Sequence, residues 1–151
     1  MTSTDRIEKK VHLRAPRSRV WRAIADATEF GEWFRVKLEG PFVAGEKLRG
    51  QILQPGYEHV RMEIEVESIE PERRFAYRWH PAGVDPAADY SGEPSTLVEF
   101  LLDDADGGTA LTIVESGFDR IPVARRAEAY RMNAGGWSIQ AANVARHVTN
   151  R

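Results

Sequence analysis

Apolar and polar residues alternate along the middle of the chain. Met62, Ile64 and Val66 interleave with Arg61, Glu63, Glu65 and Glu67, the period of two expected of a strand with one buried and one wet face. Phe75, Tyr77 and Trp79 alternate in the same way with Arg74, Ala76, Arg78 and His80. Further strands are predicted over residues 36–38, 47–53, 97–102 and 110–116, each bounded by Gly, Pro or Asp clusters. Residues 6–14 form a first strand, with Ile7, Val11 and Leu13 on one face. Asp103 to Gly108 reads as the hairpin loop between the last two strands.

Helical spacing appears in two places. After Ala15-Pro16, residues Val20, Trp21, Ile24 and Ala25 mark a short amphipathic helix, since Pro suits a helix start. A second short helix follows over residues 28–34, anchored by Phe30, Trp33 and Phe34. At the C-terminal end, Ala127, Tyr130, Ala134, Trp137, Ala141, Val144 and Val148 recur in steps of three and four, which keeps them on one side of a long helix. Large residues on this seam alternate with alanines. Such a seam either packs closely or leaves gaps beside it. Gly135-Gly136 lies in its middle, where each Gly costs roughly 1 kcal/mol relative to Ala. A close approach of helix to sheet, or a kink that opens a pocket, would account for the pair.

The order is therefore strand, two short helices, about six strands and a long helix. Strands joined by short connections form an antiparallel sheet, and the long helix is the element left to cover its apolar face. This is an α+β, helix-grip arrangement in which a cavity can form between a curved sheet and the helix. Residues 81–95, rich in Pro, Gly, Ala and Asp, are too long for an ordinary hairpin loop. They form either a solvated connector or a lid over a pocket mouth.

Composition narrows the function. The chain has 151 residues, a length that fits one domain over 1–151. A net charge of −2 lacks the basic footprint of nucleic-acid binding. There is no apolar run of membrane-spanning length and no signal-peptide core near Met1. The absence of cysteine excludes disulfides, thiol nucleophiles and thiolate metal sites. A cytoplasmic protein is expected.

Several segments together resemble one known family. Ala15-Pro16 with Val20-Trp21 and Trp33, then Phe75-Ala76-Tyr77-Arg78-Trp79, then Glu115-Ser116-Gly117-Phe118, Arg125-Arg126 and Gly136-Trp137, are similar to the START-like (SRPBCC, helix-grip) superfamily. Within it they resemble the branch named after the C-terminal domain of the heat-shock-protein-90 ATPase activator. The resemblance implies a helix-grip domain with an interior hydrophobic cavity, and it supplies no catalytic residue set. Eukaryotic activators carry a separate N-terminal domain that makes major chaperone contacts. This chain opens on the first helix-grip strand, so a chaperone partner is the weaker expectation.

Glu115 is the foremost candidate for chemistry. It shares strand parity with Leu111 and Ile113 and is expected to point inward. A carboxylate taken inward needs compensating partners, and Arg120, Arg125 and Arg126 are the nearby cations. Glu115 then serves as an ion pair fixing the strand-to-helix turn, or as a polar anchor or general acid/base at the cavity end. Tyr77, Trp79, Tyr130 and Trp137 are either ordinary core or the donors of a ligand pocket. The basic residues at the start of the long helix, with Arg131, oppose its dipole and are expected to pair with Asp119 and Glu128 or an external anion. His12, His59, His80 and His147 lack ligand spacing, so no metal site is predicted. No catalytic residue and no cofactor are assigned.

The reading that follows is a non-enzymatic module binding a small hydrophobic or amphipathic molecule between sheet and long helix. The expected lining residues are Trp33, Tyr77, Trp79, Glu115, Tyr130 and Trp137. The alternatives are a co-chaperone or stress-response interaction module, and an enzyme akin to the cyclases and hydrolases among helix-grip proteins.

Overall fold

The structure is a computed structural model that describes residues 5–81, 90 and 92–149. The alternation seen in the sequence becomes a seven-stranded antiparallel sheet in the order β1-β7-β6-β5-β4-β3-β2. These strands are β1 (Arg6–Leu13), β2 (Val36–Leu38), β3 (Lys47–Ile52), β4 (Arg61–Glu70), β5 (Arg74–Trp79), β6 (Thr96–Ala105) and β7 (Gly108–Ser116). From β2 to β7 the chain is a simple meander. β1 returns to its far edge beside β7. The crossover from β1 to β2 is made by α1 (Arg17–Ala25) and α2 (Ala27–Phe34), and α3 (Val123–Thr149) closes the chain. The helix-grip architecture read from the sequence is the one observed.

Side-chain parity decides which sheet face is covered. Met62, Ile64 and Val66 are buried on β4, and Phe75, Tyr77, Val98, Phe100, Leu111 and Ile113 continue the same layer. The charged residues of β4 face outward. A bulge between Val66 and Ser68 shifts the β4–β5 register, a device that locally increases bend and twist.

The hairpin between β6 and β7 is tighter than the sequence suggested. Asp103, Asp104 and Ala105 pair with Ala110, Thr109 and Gly108 inside the ladder. Only Asp106-Gly107 remains as the turn, with Gly107 at φ 75°. The turn places its one positive φ on the glycine, which adopts it without strain, so the strands extend through what composition alone reads as loop.

Helix boundaries follow local chemistry. The Asp26 side chain accepts from the Thr28 N–H at 2.9 Å and caps α2, which a short acidic side chain at an N-cap does well. Gly31 lets α2 approach β2, for a Cβ there would collide with the Val36 carbonyl oxygen. Gly117, at φ 104°, turns the chain from β7 into a short 3-10 turn (Phe118–Arg120) before α3.

The far end of α3 is tied to the short helices by charge. Glu29 accepts from Arg19 at 2.7 Å, from Arg22 at 2.8 Å, and lies 2.9 Å from His147 Nε2 on α3. Burial pulls the Glu29 carboxyl upward, but the His147 hydrogen bond, the hydrogen bond and charge of Arg19, and the Arg22 hydrogen bond outweigh it, bringing its pKa from 4.5 down to about 2.

The α3 seam is buried at Trp137, Val144 and Val148, with Ala134 and Ala141 packed partly against the core. Its first turn differs from expectation. Ala127 is exposed and Ala129 is buried instead. The close-approach role expected of Gly135-Gly136 falls away. A Cβ at either glycine would meet no atom within 4 Å, so no close approach requires them, and α3 runs on as one helix from Val123 to Thr149.

Candidate functional site

Glu115 faces inward, as its parity on β7 predicts, and is completely buried. Its strand register puts it in one cross-sheet row with Val66, Tyr77, Val98 and Ile7. Each carboxyl oxygen receives two donors. Oε1 accepts from Asn133 Nδ2 and from Trp137 Nε1, both at 2.8 Å. Oε2 accepts from Trp79 Nε1 at 2.8 Å and from Thr96 Oγ1 at 2.5 Å. These donors come from β5, β6 and α3, so one side chain ties sheet to helix. An acceptor-only carboxylate has about four lone-pair sites, and this shell occupies all of them.

The expected arginine partner is replaced by these four neutral donors. Arg125 instead grips Glu93 at 2.7 Å, donates to the Pro81 carbonyl at 2.9 Å, and lies 4.8 Å from the centre of the Tyr90 ring. Arg126 donates to the Ile121 carbonyl at 3.0 Å. Among the described residues neither forms an ion pair with Glu128. Axial distance keeps Arg125 from Glu115, which Asn133 meets. At 1.5 Å per residue, Arg125 lies about 12 Å before Asn133 along α3.

The aromatic residues around Glu115 form packed core. Trp137 lies 5.8 Å from Trp79, 5.8 Å from Phe100 and 6.1 Å from Phe34, and Tyr77 lies 5.4 Å from Trp79. The Tyr77 hydroxyl is buried without a hydrogen-bond partner. Burial, then the nearby Glu115 charge, pushes its pKa well above 10.

Open space lies beside this core. A cleft of about 590 Å³ runs between α3 and the β3–β4 side of the sheet, within the size range of small-molecule sites. Phe34, Ile52, Met62 and Trp79 give it apolar walls, and Gly135 and Gly136 expose helix backbone to it. Tyr57, Met132 and Ile139 line it while remaining substantially exposed. Trp79 and Asn133 both line the cleft and donate to Glu115. The buried carboxylate therefore orients two wall residues from behind.

Of the six expected lining residues, Trp79 reaches the cleft, while Tyr77, Glu115 and Trp137 stand behind its wall. Trp33 and Tyr130 are elsewhere. Trp33 donates to the Ala23 carbonyl at 2.8 Å and joins α2 to α1. Tyr130 packs on Phe118 at 5.1 Å and donates to the Arg6 carbonyl at 2.8 Å. Room for a ligand lies at the glycine pair rather than at Ala127, Ala134 and Ala141. Sequence reasoning missed Asn133 and Thr96. Both carry a legible signal: Asn133 stands four residues before Trp137 on the same helix face, and Thr96 shares the inward parity of Val98, Phe100 and Leu102.

Most of the 81–95 segment expected to be connector or lid, residues 82–89 and 91, lies outside the described residues. Its described ends are fastened, by Arg125 as above and by His80 Nε2 at 3.1 Å from the Glu93 carbonyl. Among the described residues no helix is long and apolar enough to cross a membrane.

Solved structures share this fold. DynU16, a protein of the dynemicin biosynthetic locus, is 26% identical over 97% of this chain, with a TM-score of 0.74. The chain covers 48% of that protein's length, so it spans about half of it. Protein MLL2253 from Mesorhizobium loti is 21% identical over 96% of this chain and 97% of its own, at a TM-score of 0.75. The Aha1 dimer from Colwellia psychrerythraea, a solution structure, is 14% identical over 93% of both chains, at a TM-score of 0.67. None of the curated proteins matches the sequence. The pattern of the family described as Activator of Hsp90 ATPase homolog 1-like protein matches residues 14–149, from the end of β1 through α3, and the chain belongs to that family, within the START-like superfamily.

Proposed function

We propose that this chain, acting as one domain, is a non-enzymatic binding protein for a small amphipathic molecule held in the cleft between α3 and the β3–β4 side of the sheet. The observation that carries this reading is the joining of an apolar cleft of about 590 Å³ to a fully satisfied buried carboxylate through Trp79 and Asn133. Preorganised walls reduce the ordering cost of binding. Glu115 has no exposed surface, and its four hydrogen-bond partners all donate to it. It is suited to positioning the wall rather than to acid/base turnover. Likeness to DynU16, a protein of a biosynthetic locus, agrees with a small-molecule role for this protein, which we read as cytoplasmic.

Native mass spectrometry of the protein purified from its own cells tests the reading. A co-purifying small molecule that is lost when Trp79 is replaced by Ala supports it. Retention of a protein partner with no small molecule favours the second reading, an interaction module, for which the exposure of Tyr57, Met132 and Ile139 along the cleft is the supporting observation.

A further inference from the structure

We infer that the cleft takes an organic anion, with a flat apolar body lying along Gly135-Gly136 and an acidic group meeting Arg131. This rests on the binding reading above and adds the chemical class of the ligand. Two independent observations lead to it.

The first is the glycine pair. Two consecutive glycines inside a 27-residue helix weaken it by roughly 1 kcal/mol each relative to Ala. No neighbour requires them, because a Cβ at either position would enter open space. That space is the cleft. The missing side chains leave a bare strip of helix backbone in a cleft that Phe34, Tyr57 and Trp79 also line. A planar ring suits such a strip, since it gains contact area without needing a deep pocket, and it stacks favourably with aromatic walls.

The second is charge. The whole chain carries a net charge of −2, yet two arginines, Arg61 and Arg131, line the cleft against one carboxylate, Glu63. Arg61 is engaged in a long 3.7 Å pair with the exposed Glu39. Arg131 makes no hydrogen bond or ion pair among the described residues. Its guanidinium fork, on the edge of an apolar cleft, is suited to a carboxylate or sulfonate. A cation left without a partner at the cleft edge selects anions from neutral molecules of the same shape.

The test is a fluorescence titration of the full chain with two probes that share one ring system, anilinonaphthalene sulfonate and its neutral counterpart N-phenylnaphthylamine. The sulfonate is expected to bind about tenfold more tightly, the effect of one charge-assisted contact. Arg131→Gln is expected to remove that difference and leave the neutral probe unchanged. Gly136→Leu, which fills the strip, is expected to weaken both by at least about tenfold. Ile139→Glu, at a position 63% exposed and therefore safe for folding, is expected to weaken the sulfonate more than the neutral probe; each variant is checked for a cooperative melt. Equal binding of the two probes, or a sulfonate affinity unchanged by Arg131→Gln, overturns the anion assignment while the cleft reading stands. If neither probe binds, or if both bind the folded Gly136→Leu variant as they bind the original chain, the cleft reading itself falls.

Discussion

The indole N–H of Trp79 donates to the Glu115 carboxylate across 2.8 Å, so a residue on the cleft wall is held by a group with no exposed surface. Asn133 repeats the relationship from the helix side, through the other carboxyl oxygen. Glu115→Gln replaces one acceptor oxygen with a donor and sets it against two of the four present donors. The expected loss is about 2–4 kcal/mol of stability, read from denaturant unfolding. The positioning role also requires weaker probe binding in the folded variant; lost stability with unchanged binding would leave Glu115 a purely structural residue.

Tyr77 presents the opposite case. Its hydroxyl is buried and unpartnered, so Tyr77→Phe removes an unsatisfied group and no hydrogen bond. The variant is expected to be as stable as the original or up to about 1 kcal/mol more stable. The raised pKa means that the folded state keeps its proton where the unfolded state gives it up. Stability therefore declines as pH rises above 10, and Tyr77→Phe should flatten that decline. A clear destabilisation by Tyr77→Phe would point to a partner for the hydroxyl.

Glu29 contributes to the acid limb of the stability profile. Its folded pKa of about 2 lies below the ordinary 4.5, so its contribution is complete above pH 4.5 and is lost as pH falls toward 2. Thermal melts across that window should drop more steeply for the original chain than for Glu29→Gln. Parallel curves would remove Glu29 from the acid response.

Gly135 is exposed on α3 with open space at its Cβ position. Gly135→Ala is expected to stabilise the helix by about 0.5–1 kcal/mol, visible as a rise in melting temperature. A fall would show that the glycine backbone is needed for folding itself rather than for clearance.

Trp33 separates core from cleft. Trp33→Phe loses the hydrogen bond to the Ala23 carbonyl and is expected to cost about 1 kcal/mol or more. Because Trp33 does not line the cleft, probe affinity should stay the same. A matching loss of affinity would extend the site to the α1–α2 junction.

The legible part of this protein was the part written in short periods. Alternation over Arg61 to Glu67 sorts one wet face from one buried face without knowledge of any neighbour, and the parity of Leu111, Ile113 and Glu115 turns the carboxylate inward by the same rule. Spacing of three and four places Trp137, Val144 and Val148 on the buried side of α3. At Ala127 the pattern failed, because burial in the first turns depends on the angle at which the helix leaves Gly117 and the 3-10 turn.

Contacts between elements were not legible in this way. That Glu115 faces the interior follows from its own strand. That Asn133, Trp137, Trp79 and Thr96 supply its donors, in place of an arginine, depends on where α3 crosses the sheet. The glycine pair makes the same point. Residue order alone dictates that two positions in mid-helix lack side chains and that something must compensate. That the space beside them is a cleft rather than a packed wall emerges only on folding, because distance between helix and sheet is set by the summed packing of all the elements between them.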